Sequence, residues 1–98
     1  MSRRHVLVTY DIADDKRRTK TFDFLSGIGD HLQFSVFLCE LNQRERAEMQ
    51  GILQALIHHR KDQVILLDLG SADHPIEVGS AMECIGKAYH PQTRAQVI

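Results

Sequence analysis

The sequence has 98 residues, of which 43% are hydrophobic and 26% are charged. This composition is typical of one globular domain, which we expect to span residues 1–98. No apolar run approaches the ~20 residues of a membrane helix, and the start of the chain does not have the pattern of a signal peptide. We therefore expect a cytoplasmic protein. The formal net charge of −1 does not indicate nucleic-acid binding, although local basic clusters are compatible with it.

The first predicted strand covers residues 6–12, with the sequence VLVTYDI. Its β-branched and aromatic residues recur with a period of two, which is typical of a strand. Asp11 lies near the C-terminal end of this strand, on the face opposite Tyr10. Sites in α+β sheets are often built at such strand ends. Asp11 is therefore the first candidate for a functional residue.

A helix is predicted directly after this strand. Asp14 is suited to the N-cap, and Phe22, Leu25 and Ile28 recur at helical spacing. Gly27 and Gly29 are expected to end the helix, because glycine adopts the left-handed cap conformation without penalty. Asp14 and its neighbour Asp15 are interpreted as helix-start carboxylates rather than metal ligands.

Residues 31–41 alternate again between two faces. They are predicted to form either one long strand or two short strands bent near Ser35, and periodicity does not choose between these. A second helix follows, in which Asn42 and Glu45 have the spacing of a capping box. The cations of residues 58–61 are expected to close this helix, and the two histidines among them are interpreted as a charge feature rather than a metal site.

A third strand is predicted over residues 62–69, ended by Gly70, and a weaker strand over residues 81–86. Asp68 is interpreted as a turn-stabilising residue, with support of the site residues as the alternative. Cys39 and Cys84 lack the spacing of a zinc site and are interpreted as small hydrophobic residues. The order of these elements indicates an α+β fold in which two helices cover one face of a sheet.

The strand over residues 62–69 is apolar on both faces, with Val64 and Leu66 on one and Ile65, Leu67 and Leu69 on the other. Because two helices cover only one face, we predict that a second copy covers the other in a twofold homodimer. If Asp11 lies on that face, the twofold axis would bring two Asp11 carboxylates together. They would repel unless they were protonated or bridged by a cation. Mg²⁺ or Mn²⁺ would suit such oxygen ligands and would promote phosphodiester hydrolysis.

Two stretches of the sequence match motifs of a known family. Residues 8–18 (VTYDIADDKRR) and 32–41 (LQFSVFLCEL) resemble the first two motifs of the smaller universal CRISPR-associated adaptation protein, the partner of the CRISPR integrase. Residues 62–70 and 82–86 are similar to its third and fourth blocks. The resemblance implies a ferredoxin-like βαββαβ sheet with two helices on one face. It also implies a C-terminal strand and tail within residues 80–98 that contribute to a homodimer formed through the sheet.

The resemblance also implies an activity and partners. The activity is Mg²⁺-dependent hydrolysis of single-stranded RNA and, in some members, of double-stranded DNA, with Mn²⁺ as an alternative ion. The cellular role is spacer acquisition, an antiviral function in which the dimer bridges two integrase dimers on DNA. The complex is heterohexameric or heterotetrameric.

Individual residues are matched to the family's motifs. Asp11 matches the metal-binding aspartate and is the main catalytic candidate, with Tyr10 and Arg18 beside it. The candidates for binding nucleic acid are Arg17, Arg18, Lys20 and His31. The last two stand where arginine is common in the family, and neither grips phosphate as arginine does. Phe37 matches the aromatic residue of the second motif.

Three classes of function stay open. The first is a metal-dependent nuclease. The second is a non-catalytic scaffold in the same complex, in which Asp11 is structural. The third is a ferredoxin-like regulatory or RNA-recognition module with no link to CRISPR, although the Lys/Arg-Gly-Phe pattern of RNA recognition motifs is absent from the sequence.

Overall fold

The structure is a computed structural model that describes residues 2–76 and 81–87. Its elements in chain order are β1 (Arg4–Asp11), α1 (Asp15–Ser26), β2 (Gly29–Gln33), β3 (Val36–Leu41), α2 (Gln43–Leu56) and β4 (Gln63–Ser71). The strands form one antiparallel sheet in the order β2-β3-β1-β4. This is the predicted α+β architecture, with β1 at the centre of the ladder.

The core lies between the sheet and the two helices. Every second residue of β1 points into it, because side chains of a strand alternate between the faces of a sheet. Helix α1 contributes Leu25, and helix α2 contributes Met49 and Leu53. The buried residues of the strands and their ends are Val6, Val8, Tyr10, Ile12, Phe37, Cys39 and Leu41.

Residues 31–41 belong to two strands rather than one. Strands β2 and β3 are joined by a turn at Phe34 and Ser35. The backbone N–H of Tyr10 donates to the carbonyl of Ser35 over 3.1 Å. This bond places the turn beside the C-terminal end of β1.

The start of α1 is as predicted, but its end is not. Asp14 is the N-cap, and its carboxylate accepts from the backbone N–H of Arg17 at 2.9 Å. Gly27 has φ −78° and ψ −16°, which is right-handed, so the expectation of a left-handed cap was wrong. The glycine that packing requires is instead Gly29, where an added Cβ would meet the sulfur of Cys39 at 2.6 Å.

The capping box of α2 is confirmed. The Asn42 side chain accepts from the Glu45 backbone N–H at 2.8 Å, and the Glu45 carboxylate accepts from the Asn42 backbone N–H at 3.0 Å. The helix ends at Leu56, before the cations of residues 58–61. The prediction that these cations close its last turn was therefore wrong, and they form the connection to β4 instead.

Two predictions about the C-terminal third also need correction. Strand β4 does not end at Gly70 but continues to Ser71, although Gly70 adopts a φ of +104° that other residues reach only with strain. Residues 81–87 contain one bridge at Met82 and no strand. The rest of the predicted C-terminal strand and tail lies outside the described residues. None of the described helices is long and apolar enough to cross a membrane.

Candidate functional site

Asp11 stands at the end of β1 with an exposed side chain, whereas Tyr10 before it is buried. The two residues therefore point to opposite faces of the sheet, as the alternation predicted. Asp11 is paired with Gln63 of β4. Within residues 2–76 and 81–87, no hydrogen bond or ion pair engages the Asp11 carboxylate. Its oxygens are thus available to a cation.

The face of the sheet that carries Asp11 is apolar and only partly covered. Residues directly opposite each other on paired strands share a face, which puts Thr9, Val36 and Ile65 beside Asp11. Further along, a cleft of about 650 Å³ separates the sheet from residues 81–85. The most exposed apolar side chains of β4 on this face are Ile65, Leu67 and Leu69. We call these three side chains the β4 apolar patch.

Tyr10 and Arg18 meet on the helix side of the same strand end. Both line a pocket of about 400 Å³. Burial raises the pKa of Tyr10, and the positive charge of Arg18 partly offsets this. The guanidinium of Arg18 donates to the carbonyl of Ile12 at 3.0 Å and pairs with the exposed carboxylate of Asp15. The structure thus brings two of the three catalytic candidates together, with Asp11 at the same strand end on the other face.

Arg17 is held by Asp62, a residue that sequence reasoning did not single out. The guanidinium donates to both oxygens of the Asp62 carboxylate, at 2.7 and 3.1 Å. The same carboxylate accepts from the backbone N–H groups of Ala13 at 3.0 Å and His58 at 2.7 Å. These donors hold the pKa of Asp62 well below its usual range, despite the opposing effect of desolvation. The bonds hold the segment after β1 against the start of β4.

The remaining predicted site residues are more dispersed. Lys20 is exposed on α1. His31 packs against the ring of Phe37, with centroids 4.9 Å apart, and its Nε2 lies 3.3 Å from the carbonyl of Phe34. Asp68 lies opposite Val6, five positions from the residue that pairs with Asp11. This separation is about 17 Å along a strand, so Asp68 does not belong to the site.

Asp68 has a structural role instead. Its carboxylate pairs with Arg4 of β1 at 2.7 Å and with Arg46 of α2 at 3.6 Å, and it accepts from the backbone N–H of Gly70 at 2.9 Å. It therefore both stabilises the turn-like conformation at Gly70, as predicted, and connects three elements. These contacts lower its pKa, chiefly through the bond from Arg4.

One chain supplies few ligands for a metal ion. Among the described residues, no three His, Cys, Asp or Glu side chains are grouped so that they could hold an ion. Mg²⁺, however, keeps several waters and is often bound through one or two carboxylates. The unengaged carboxylate of Asp11 fits an ion of that kind, above all where a second copy supplies another.

The sequence matches a family model described as "CRISPR associated protein Cas2" over residues 4–74. The CRISPR-associated endoribonuclease Cas2 1 of Rhodospirillum rubrum is 41% identical over 92 residues, covering 94% of this chain and 87% of that protein. The CRISPR-associated endoribonuclease Cas2 of Geobacter sulfurreducens is 35% identical over 92 residues, covering 94% of both.

Solved structures give the same result. The hypothetical protein TT1823 of Thermus thermophilus superimposes with a TM-score of 0.71 at 28% identity, covering 92% of this chain and 99% of that one. Cas2 of Streptococcus pyogenes, crystallised at pH 6.5, has a TM-score of 0.63 at 28% identity, covering 67% and 86%. The family model covers the chain from β1, which carries Asp11, to the loop after β4. The solved structures show that the similarity includes the fold. The chain therefore belongs to the CRISPR-associated protein Cas2 family.

Proposed function

We propose that this protein is a metal-dependent endoribonuclease that acts as a homodimer in CRISPR spacer acquisition. The observation that carries the proposal is the Asp11 carboxylate, exposed and unengaged among the described residues at the end of the central strand. The curated relatives at 41% and 35% identity are named endoribonucleases, which supports the same activity here. Because the chain belongs to the Cas2 family, a regulatory module unrelated to CRISPR is no longer a candidate.

In the proposed site, the Asp11 carboxylates of two copies would hold a Mg²⁺ or Mn²⁺ ion. When bound, it would supply an activated water and polarise a phosphodiester. Arg18 binds a phosphate oxygen. It can leave Asp15 at little cost, because an ion pair with such an exposed carboxylate contributes little stability. Tyr10 keeps its proton, because burial raises its pKa. It therefore serves as a hydrogen-bond donor rather than as a base.

The other basic residues have supporting roles in this proposal. Lys20 binds the phosphate backbone as an exposed point charge. Arg17 acts through Asp62, because both oxygens of that carboxylate already accept from its guanidinium. His31 is packed against Phe37, and it shapes the pocket beside Tyr10.

The test is cleavage of a labelled single-stranded RNA in Mg²⁺ by native protein and by Asp11→Ala. We expect the variant to lose at least about 100-fold in rate, since even groups that only support a metal ligand contribute 10- to 100-fold. The matched control is Asp23→Ala, which removes an exposed aspartate from α1 and leaves the rate unchanged. Cleavage by Asp11→Ala at the native rate would contradict the proposed role of this residue.

A non-catalytic scaffold is the second candidate. It is favoured by the lack of a three-ligand metal cluster among residues 2–76 and 81–87. In this role the dimer bridges two integrase dimers on DNA in the cytoplasm, which makes the assembly a heterohexamer. Binding of a single integrase dimer would give a heterotetramer instead. Spacer acquisition at the native level by a cleavage-deficient Asp11→Ala protein would assign the cellular role to the scaffold. The mass of the complex with the integrase would give its stoichiometry.

A further inference from the structure

Beside the end of β1, on the face opposite Asp11, lies a pocket lined mainly by rings. Its volume of about 400 Å³ is within the range of small-molecule sites. The pocket is lined by Tyr10, Arg18, Thr19, Phe22, His31 and Phe34. The metal chemistry proposed above uses only Tyr10 and Arg18 of this set, and Thr19, Phe22 and Phe34 have no assigned role.

Phe34 is the unusual member of this group. It stands at the turn between β2 and β3, and 85% of it is exposed. An exposed ring at a hairpin turn contributes little to the core and leaves a flat apolar surface in water. The turn itself is held against β1 by the bond from Tyr10 N–H to Ser35 carbonyl. The ring is thus presented at a fixed place.

The floor of the pocket is a packed aromatic cluster. The ring of His31 lies 4.9 Å from that of Phe37 and 5.1 Å from that of Phe22, the latter in an edge-to-face arrangement. Phe37 is fully buried and anchors the cluster. The pocket therefore combines a rigid aromatic floor, an exposed aromatic edge at Phe34 and a cation at Arg18.

Flat aromatic surfaces next to a guanidinium fit one class of ligand well. Single-stranded nucleic acids are bound by stacking of unpaired bases on aromatic side chains, while cations hold the phosphates between them. A base within a duplex is already stacked and paired, so it cannot enter such a pocket. A peptide or a small apolar ligand would not account for the guanidinium at the rim.

We propose that this pocket binds one unstacked base of single-stranded RNA, with Phe34 as the stacking platform and Arg18 on the adjoining phosphate. This inference rests on the proposed endoribonuclease function and gives it a preference for single strands over duplexes. The next phosphate of the strand passes around the end of β1 toward Asp11. Phe34 is thus a specificity-determining residue and not a catalytic one.

The test measures binding separately from cleavage. Affinity for a fluorescent single-stranded RNA and for duplex DNA is measured by anisotropy in EDTA, with full-length protein. Phe34→Ala is expected to weaken RNA binding by at least about fivefold, the lower end of the loss for one stacked base, and to leave duplex binding unchanged. Phe34→Tyr keeps the ring and should keep the affinity. Ile52→Ala, which trims an exposed apolar side chain on α2, is the matched control.

A second readout locates the base directly. RNA carrying 5-iodouridine should photocross-link to Phe34, with the modified residue identified by mass spectrometry. Unchanged RNA affinity of Phe34→Ala, an equal loss on duplex DNA, or conversion of the protein to a different oligomeric state would each overturn the proposal. Because affinity is measured without metal, these outcomes are independent of the Asp11→Ala cleavage test. The pocket and the proposed reaction can therefore fail separately.

Discussion

Asp62 joins the two chain segments that flank the end of β1. Its side chain is 0% exposed, and its carboxylate accepts from the Arg17 guanidinium and from the backbone N–H groups of Ala13 and His58. Ala13 lies two residues after Asp11 in the chain. The position of the Asp11 carboxylate therefore depends on a residue that touches no substrate.

We expect Asp62→Asn to lower the melting temperature at pH 7 by about 5–10 °C. The Asn side chain replaces one carboxylate oxygen, which accepts a hydrogen bond, with an NH₂ group that donates and faces Arg17. The guanidinium charge of Arg17 is then incompletely paired. The matched control is Asp15→Asn, because that carboxylate is 89% exposed in its pair with Arg18 and such pairs contribute little. Equal melting temperatures for native and Asp62→Asn proteins at pH 7 would contradict the assigned role.

The contribution of Asp62 also predicts a pH dependence. Its pKa in the folded protein is well below the usual value, so folding favours the ionised form. The stabilisation is therefore complete above the unfolded pKa of about 3.9 and is lost as the pH falls below it. The difference in unfolding free energy between native protein and Asp62→Asn should be constant from pH 5 to 8 and shrink below pH 4. A difference that grew on acidification would be evidence against this linkage.

For single residues, the sequence predicted roles that depend on local pattern but not contacts between residues far apart in the chain. The alternation of β1 and the spacing after it were enough to single out Asp11 and to identify Asp14 as an N-cap. Asp62 was not identified because its guanidinium partner is 45 residues away. An aspartate before a strand has the same local pattern whether its side chain lies in solvent or binds a half-buried arginine.

At the scale of elements, α2 contains a glycine with no structural requirement. Gly51 lies inside the helix, and a Cβ built on it meets nothing within 4 Å. We expect Gly51→Ala to raise the free energy of unfolding by about 0.5–1 kcal/mol, because alanine restricts the unfolded chain and favours the helix. Urea denaturation measures the change. A neutral or destabilising result would contradict the absence of a structural requirement for glycine here.

The hairpin of β2 and β3 shows why the sequence could not decide between one long strand and two short strands for residues 31–41. The register pairs His31 with Phe37 but Gln33 with Val36, so a bulge falls between His31 and Gln33. Before this bulge, Gly29 pairs with Cys39 and His31 with Phe37, so odd-numbered side chains of both strands lie on the helix face. The period of two consequently runs from one strand into the next without a break, and only the pairing reveals the reversal of the chain.

For the whole molecule, the main consequence of the fold is that the sheet face opposite the helices is only partly covered. Both helices lie on the other face, and the β4 apolar patch remains 43–49% exposed. Exposed apolar surface of this kind marks an interface, and the strand's two apolar faces predicted it from sequence. We expect the isolated protein to be a dimer at micromolar concentration, measured by light scattering.

Leu67→Asp tests this assembly and the shared ion together. A charge at the middle of the β4 apolar patch should yield a folded monomer, since burying it in the interface without a partner is costly. The monomer should also lose RNA cleavage, because one Asp11 is left without its counterpart. Ile52→Asp places the same charge at a similarly exposed position on α2, where 44% of the side chain is accessible, and should change neither property. A Leu67→Asp monomer that still cleaves RNA would show that a single Asp11 suffices to hold the ion, and the twofold axis would then serve only the assembly.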